Sequence, residues 1–379
     1  MKDPNMKITQ STVRGMPSLP KALPIGKGPS RVLTLPQRTM MTSTMITASS
    51  IYTGYDPVSI EVLRNDPSIH RLLDMMETCR PGGSQEEDDY IRDWIEPLDP
   101  ATDGYGNRIV EVPTPEGHPR ILWSTHTDTV HWHDGRQKVE VTGCMAWTSD
   151  GSCLGSDDTV GNWLAIEMIK AKVPGVYVFH REEESGGGGS MWLAKNMPEW
   201  LGKFDCAIAL DRADYRDVIT YQAGGRCCSD AFAKSVAALL DGDFSPCDRG
   251  VFTDTANYVD HIGECTNLSV GYFRQHGPME HTNLSFAYSM RAALVTADWS
   301  KLVFERKPGD DGWDDDEAWY AYEDKYGTRP AAKVKDKDWT AIDLMEDYVT
   351  NFPWMVAEFL VGMGITVDDL DEYEPGSDR

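Results

Sequence analysis

The sequence predicts an α/β protein, a three-layer α/β/α sandwich around a central mixed, mostly parallel sheet. Three observations carry that expectation. Short apolar, β-branched runs such as "GVYVFH", "DCAIALD" and "TNLSVGY" are of the kind buried on both faces of a sheet. Segments with helical periodicity, "DTVGNWLAIEMIKAK" among them, alternate with those runs, which is the pattern of layered α/β folds. The 379 residues are also enough to bury a sizeable core, as one large α/β domain or two smaller ones.

Taken in order, residues 1–54 are rich in Pro, Gly, Ser and Thr and lack periodicity, so they are expected to form a disordered basic tail. An α/β domain is expected over 55–309. It opens with "PVSIEVLRNDPSIHRLLDMMETCR", where Ile60, Val62, Leu63, Ile69, Leu72, Leu73 and Met76 suggest helical segments. "PGGSQEEDDYIRDWIEPL" follows, with Ser84 placed to cap a helix whose first turn is acidic. "GNRIVEV", "RILWSTH" and "DVITYQ" complete the set of strands. Beyond 309 the chain becomes acidic and aromatic, and residues 310–379 are expected to be a partly helical appendage packing on the domain.

Charge narrows the function. With 36 Lys+Arg against 61 Asp+Glu the net charge is −25, which argues against nucleic acid or an anionic membrane as partner. No run approaches the ~18–20 apolar residues of a membrane span, and no signal-peptide core stands near the start. Eight cysteines without a CxxC pair read as reduced thiols, so a cytoplasmic location is expected.

Chemistry-bearing side chains gather where the predicted strands end. "RILWSTHTD" runs out at His126 and Asp128, "GVYVFHREEE" at three glutamates, "DCAIALD" at Asp211, and "TNLSVGYFRQH" leads to His276. A further pair, Asp157-Asp158, stands at the mouth of a helix. In open α/β sheets functional groups collect beyond the carboxyl ends of the strands. Carboxylates and imidazoles without thiolates suit zinc, manganese or cobalt. Each feature alone has a plain structural reading: a hydrogen-bonded histidine, a solvated glutamate loop, or a carboxylate pair complementing a helix N-terminus. His131 and His133 form a His-x-His pair expected to be plain surface, and His281 is expected to be structural.

Together, in order, these motifs resemble the co-catalytic di-zinc exopeptidases, which include peptidase T, carboxypeptidase G-like enzymes, aminoacylases and leucyl aminopeptidase-like enzymes. The resemblance covers roughly residues 58–300. It rests on "DGYGNRIVEV", "HTDTV", "LGSDDTVG", "EESGGGGS", "ALD" and "HGPME". The glycine spacing sets the register: with Glu183-Glu184 as the pair, Gly186 and Gly189-Ser190 fall where that pattern has Gly and Gly-Ser.

The resemblance implies two Zn2+ per chain, or Mn2+ or Co2+. His126 and Asp211 would hold one, Glu184 and His276 the other, with Asp157 bridging them through a residue whose following peptide bond is cis. It implies Glu183 as general base and Asp128, counted with it among the catalytic residues, fixing the tautomer of His126. Glu280 would support the site from behind. Only 64 positions separate Asp211 from His276, too few for the lid domain of some relatives, so no separate lid is expected. The implied activity is hydrolysis of a peptide amide bond, of aminopeptidase or di/tripeptidase type. An N-acyl amino acid amidohydrolase of the same build and a non-catalytic metal-binding scaffold are the alternatives. The expected partner is a small peptide or acyl-amino-acid substrate, with no nucleic acid and no membrane; oligomeric state is left open.

Overall fold

The computed structural model describes residues 58–240 and 244–310. The expected basic tail and, beyond Asp310, the expected acidic appendage lie outside those residues.

An eight-stranded mixed sheet forms the middle layer. In chain order its strands are β1 (Ala101–Thr102), β2 (Arg108–Val112), β3 (Ile121–His126), β6 (Gly175–His180), β7 (Cys206–Arg212), β8 (Asp217–Ile219), β9 (Ser245–Cys247) and β10 (Glu264–Ser269). A smaller antiparallel sheet contains β4 (Val139–Thr142), β5 (Met145–Thr148), β11 (Tyr272–Phe273) and β12 (His281–Asn283). The large sheet runs β9-β8-β10-β7-β3-β6-β2-β1. Its four central strands, β10, β7, β3 and β6, are mutually parallel, and antiparallel pairing begins outward at β8 and β2. Parallel pairing puts the carboxyl ends of β3, β6 and β7 side by side: His126 pairs in register with His180.

Side chains alternate across these strands and divide the core in two. Ile121, Trp123, Tyr177, Phe179, Ile208 and Leu210 enter one apolar cluster; Leu122, Val176, Val178 and Ala207 enter the other. The first cluster is closed by helices α2 (Pro67–Met76), α4 (Ser156–Lys170) and α7 (Leu284–Thr296), through Leu72, Trp163, Leu164 and Met290. The second is closed by α5 (Gly188–Asn196), α6 (Pro198–Leu201) and a short 3-10 helix, Asp254–Tyr258, through Leu193, Leu201 and Tyr258. Each such side chain, fully buried, contributes about 1.5–3 kcal/mol. The result is the three-layer sandwich the sequence predicts, and the described residues contain no separate lid domain.

Helix starts follow local chemistry. Asp66 caps α2 by accepting from the Ser68 N–H at 2.7 Å, with Pro67 in the first turn. Ser84 caps α3 (Gln85–Tyr90) as expected, accepting from the Glu87 N–H at 3.1 Å. Two expectations need correction. Ile60 and Val62 lie on the exposed side of α1 (Ile60–Asn65), which buries only Leu63. The smaller sheet was not foreseen: its strands are two to four residues long, too short for alternation to register. None of the described helices is long and apolar enough to cross a membrane.

Candidate metal centre

The carboxyl ends of the parallel strands deliver the first ligand candidates. His126 is the last residue of β3 and Asp211 the penultimate residue of β7. The Nε2 of His126 lies 3.6 Å from Asp211 Oδ1 and 3.1 Å from Asp157 Oδ1. The other carboxylate oxygen of Asp157 faces the opposite way, 3.2 Å from His276 Nε2, which is also 3.2 Å from Glu184 Oε2. Two groups therefore share Asp157: His126-Asp157-Asp211 and Asp157-Glu184-His276, each with its donor atoms within 4.8 Å of one another. Glu183 offers an oxygen to a third such group with His126 and Glu184.

Several of the donors are braced from behind. Asp128, fully buried, lies with Oδ1 3.4 Å from His126 Nδ1, whose hydrogen bond goes to the Asp128 backbone carbonyl at 3.1 Å. Its two oxygens also accept the backbone N–H groups of Glu183 at 3.1 Å and Glu184 at 3.2 Å, so one carboxylate orders both the imidazole and the glutamate turn. Glu280 accepts from the N–H groups of Gly155, Ser156 and Asp157 at 3.1, 2.6 and 3.2 Å. That grip holds the non-helical first residues of α4, where the Asp157–Asp158 peptide bond is cis. Asp158 turns away from the donors and accepts the His126 N–H at 3.2 Å and the Gly161 N–H at 2.9 Å.

Two glycines are required by close approach. A Cβ on Gly161 would stand 2.2 Å from both Asp158 Oδ1 and the Leu210 carbonyl, and one on Gly189 would stand 2.3 Å from Asn107 Oδ1. Asn107 staples the glutamate turn, accepting the Arg181 N–H at 3.0 Å and donating to the Gly189 carbonyl at 3.1 Å. The third glutamate, Glu182, is held outside the donor set by the hydroxyl of Tyr105.

The electrostatics are lopsided. Four carboxylates (Asp128, Asp157, Glu184 and Asp211) lie against two imidazoles, His126 and His276, and Asp158, Glu183 and Glu280 add three more close by. Burial disfavours the imidazolium of His126, yet Asp211, Asp128 and Asp157 outweigh it and hold its pKa well above the ordinary value. For His276, whose side chain is half exposed, Asp157 and Glu184 likewise overcome desolvation and push the pKa up to about 11. Burial and the neighbouring Asp157 push Asp211 up to about 7 and Glu280 up to about 7. Glu183 is raised well above the carboxylate range by burial, against the pull of His126 and with Asp211, Asp254 and Glu184 adding to it.

These residues fit a pair of divalent cations. The donors are hard oxygens and imidazole nitrogens, the charge excess is negative, and Glu184 Oε1 is buried with no hydrogen-bond partner. A bound cation would satisfy a buried carboxylate oxygen that has no donor.

All eight residues singled out in the sequence lie at this end of the sheet. His131, expected at the surface, is instead 4 % exposed: its Nδ1 meets Thr129 Oγ1 at 2.7 Å and burial pushes its pKa down to about 4. Two contacts escaped the sequence reading. Thr253 Oγ1 donates to Asp211 Oδ2 at 2.7 Å and the Tyr272 hydroxyl donates to Asp211 Oδ1 at 3.1 Å. Thr253 sits in a segment without periodicity, and nothing in the sequence marks it.

No protein-family model matches the chain, and no curated protein matches it. Solved structures that resemble it include the aminopeptidase PepT of Bacillus cereus, 13 % identical over 62 % of this chain and 98 % of that one, with a TM-score of 0.48. A tripeptidase of Staphylococcus aureus is 12 % identical over 62 % and 98 %, with a TM-score of 0.48. The TET1 peptidase of Pyrococcus horikoshii is 17 % identical over 63 % and 99 %, with a TM-score of 0.46. Likenesses at this level assign no residue and no activity.

Proposed function

We propose that the chain is a metal-dependent hydrolase that cleaves an amide bond of short peptides, of the aminopeptidase or di/tripeptidase type. One observation carries this reading: two three-residue donor groups share Asp157, and the carboxylate of Glu183 stands beside both without a place in either. His126 and Asp211 would hold one zinc ion, Glu184 and His276 the other, and Asp157 would bridge them. When bound, such a pair lowers the pKa of a water and polarises the scissile carbonyl.

The chain's own residues account for the rest. Glu183 takes the proton of the attacking water and delivers it to the leaving amine nitrogen, as a carboxylate close to the centre but outside the ligand set is able to do. Asp128 keeps Glu183 and Glu184 in register by accepting both of their N–H groups, so base and ligand stay side by side. The surplus of carboxylates around the centre favours substrates presenting a free ammonium over those presenting an anion, which supports the amino end as the site of attack.

The test is metal analysis paired with a screen of free-amine peptides against N-acyl amino acids on the same preparation. Two ions per chain with hydrolysis confined to free-amine peptides is the expected result. Turnover of N-acyl amino acids instead would make the chain an amidohydrolase, and retained zinc with no hydrolysis in either arm would end the catalytic reading.

A further inference from the structure

The strongest unexplained group in the described residues is Asp254. Its side chain is 1 % exposed, and neither carboxylate oxygen has a hydrogen-bond partner. Its Oδ2 lies 3.1 Å from His180 Nδ1, but that ring nitrogen is hydrogen-bonded to the Thr125 carbonyl at 3.0 Å. Nε2 of the same ring is joined to the Tyr258 hydroxyl at 2.6 Å. A desolvated carboxylate without donors is costly, and folding alone gives no reason to keep one.

Its surroundings supply a reason. The 3-10 helix Asp254–Tyr258 touches several parts of the donor framework at once. Thr253, immediately before it, donates to Asp211. Asn257 Nδ2 donates to Ser190 Oγ at 2.8 Å, at the foot of the glutamate turn. Tyr258 and Asp254 flank His180, which ends β6 three residues before Glu183. The charge of Asp254 is among those felt by Glu183.

We propose that Thr253 and Asp254 form an outer arm of the metal centre: Thr253 orients the ligand Asp211 through its hydroxyl, and the donor-free carboxylate of Asp254 balances the charge of the bound cations. This rests on the metal centre proposed above and adds two positioning residues to it. A carboxylate kept for the fold and one kept for the cations respond oppositely to loss of charge. Asp254→Asn replaces a buried carboxylate that accepts no hydrogen bond with a neutral amide, so the metal-free form keeps or raises its melting temperature. The same change takes a compensating charge from the loaded protein, so zinc binds more weakly.

The experiment is a zinc titration of the full chain against a chromophoric chelator, with thermal melting of the metal-free protein alongside. Expected are two zinc equivalents in the wild type and a loss of about tenfold in zinc affinity for Asp254→Asn, without a fall in metal-free melting temperature. Thr253→Val is expected to weaken one equivalent by roughly 10–100-fold, the range seen when a ligand loses its outer hydrogen-bond partner. Thr253→Ser, which keeps the hydroxyl, stays within about threefold of wild type on the same reasoning. Asp254→Asn binding zinc like the wild type overturns the charge role. A fall in its metal-free melting temperature overturns it too, because the carboxylate would then be serving the fold. Thr253→Val binding both equivalents unchanged, or Thr253→Ser failing as badly as Thr253→Val, overturns the orienting role. A wild type that takes up no zinc removes the centre itself, whereas one that binds two ions and hydrolyses nothing sinks only the hydrolase reading.

Discussion

Two fully or largely buried glutamates sit at opposite ends of the parallel sheet and are treated differently. Glu264, at the amino end of β10, accepts four hydrogen bonds: from the Ser229 N–H at 2.7 Å, the Ser229 hydroxyl at 2.9 Å, the Glu305 N–H at 2.8 Å and the Arg306 N–H at 2.9 Å. Glu184, beyond the carboxyl end of β6, reaches His276 with one oxygen and leaves the other without a partner. One carboxylate is saturated by the protein and the other is held in reserve. Glu184 Oε1 is one of several buried side-chain atoms without a partner among the described residues, and it is the one that stands within the candidate ligand groups. Asp254 repeats the pattern at the same end.

The largest effect that would sharpen this contrast concerns the group beside the reserved oxygens. Glu183→Gln is expected to lower turnover by about 10²–10⁴-fold while zinc content stays that of the wild type, because it removes a proton carrier and no ligand. Steady-state kinetics with metal analysis checks it, and loss of zinc in this variant would make Glu183 a ligand. Next comes stability at the saturated end. Glu264→Ala leaves four donors unmatched, three of them buried, and is expected to cost about 3 kcal/mol or more, without changing zinc affinity. Denaturant unfolding measures the first and chelator competition the second.

Glu184→Ala should do the reverse. Its metal-free form is expected to unfold within about 1 kcal/mol of wild type, because one oxygen has no partner to lose, while one zinc equivalent binds far more weakly. Equal losses of stability in Glu184→Ala and Glu264→Ala would erase the contrast. A smaller effect concerns protons. Without metal, His126 and His276 hold theirs above neutral pH, and a ligand imidazole must be neutral. Zinc uptake at pH 7 is therefore expected to release protons, seen by calorimetry in buffers of different ionisation enthalpy. Uptake without release would mean that neither histidine is a ligand.

Much of the donor set was legible because parallel strands are short, apolar and buried on both faces, so a polar residue at their carboxyl end stands out. His126 and Asp211 are found that way. Asp157, Glu184 and His276 lie off the strands and were legible only through the order and spacing of several short motifs. Thr253, Asp254 and Tyr272 were not legible. They come from a 3-10 segment and a two-residue strand, where no period of 2 or 3.6 survives, and tertiary contact alone brings them to Asp211 and His180. His131 misled for a related reason: a loop histidine beside the fully exposed Trp132 reads as surface, yet the chain folds it under Gly155.

The convergence of five side chains on two cations is tested most directly by anomalous diffraction at the zinc edge from crystals grown with zinc. Two peaks are predicted, one against His126 and Asp211, the other against Glu184 and His276, with Asp157 between them and Glu183 bound to neither. A single peak, or peaks that leave Asp157 uncoordinated, would contradict the account.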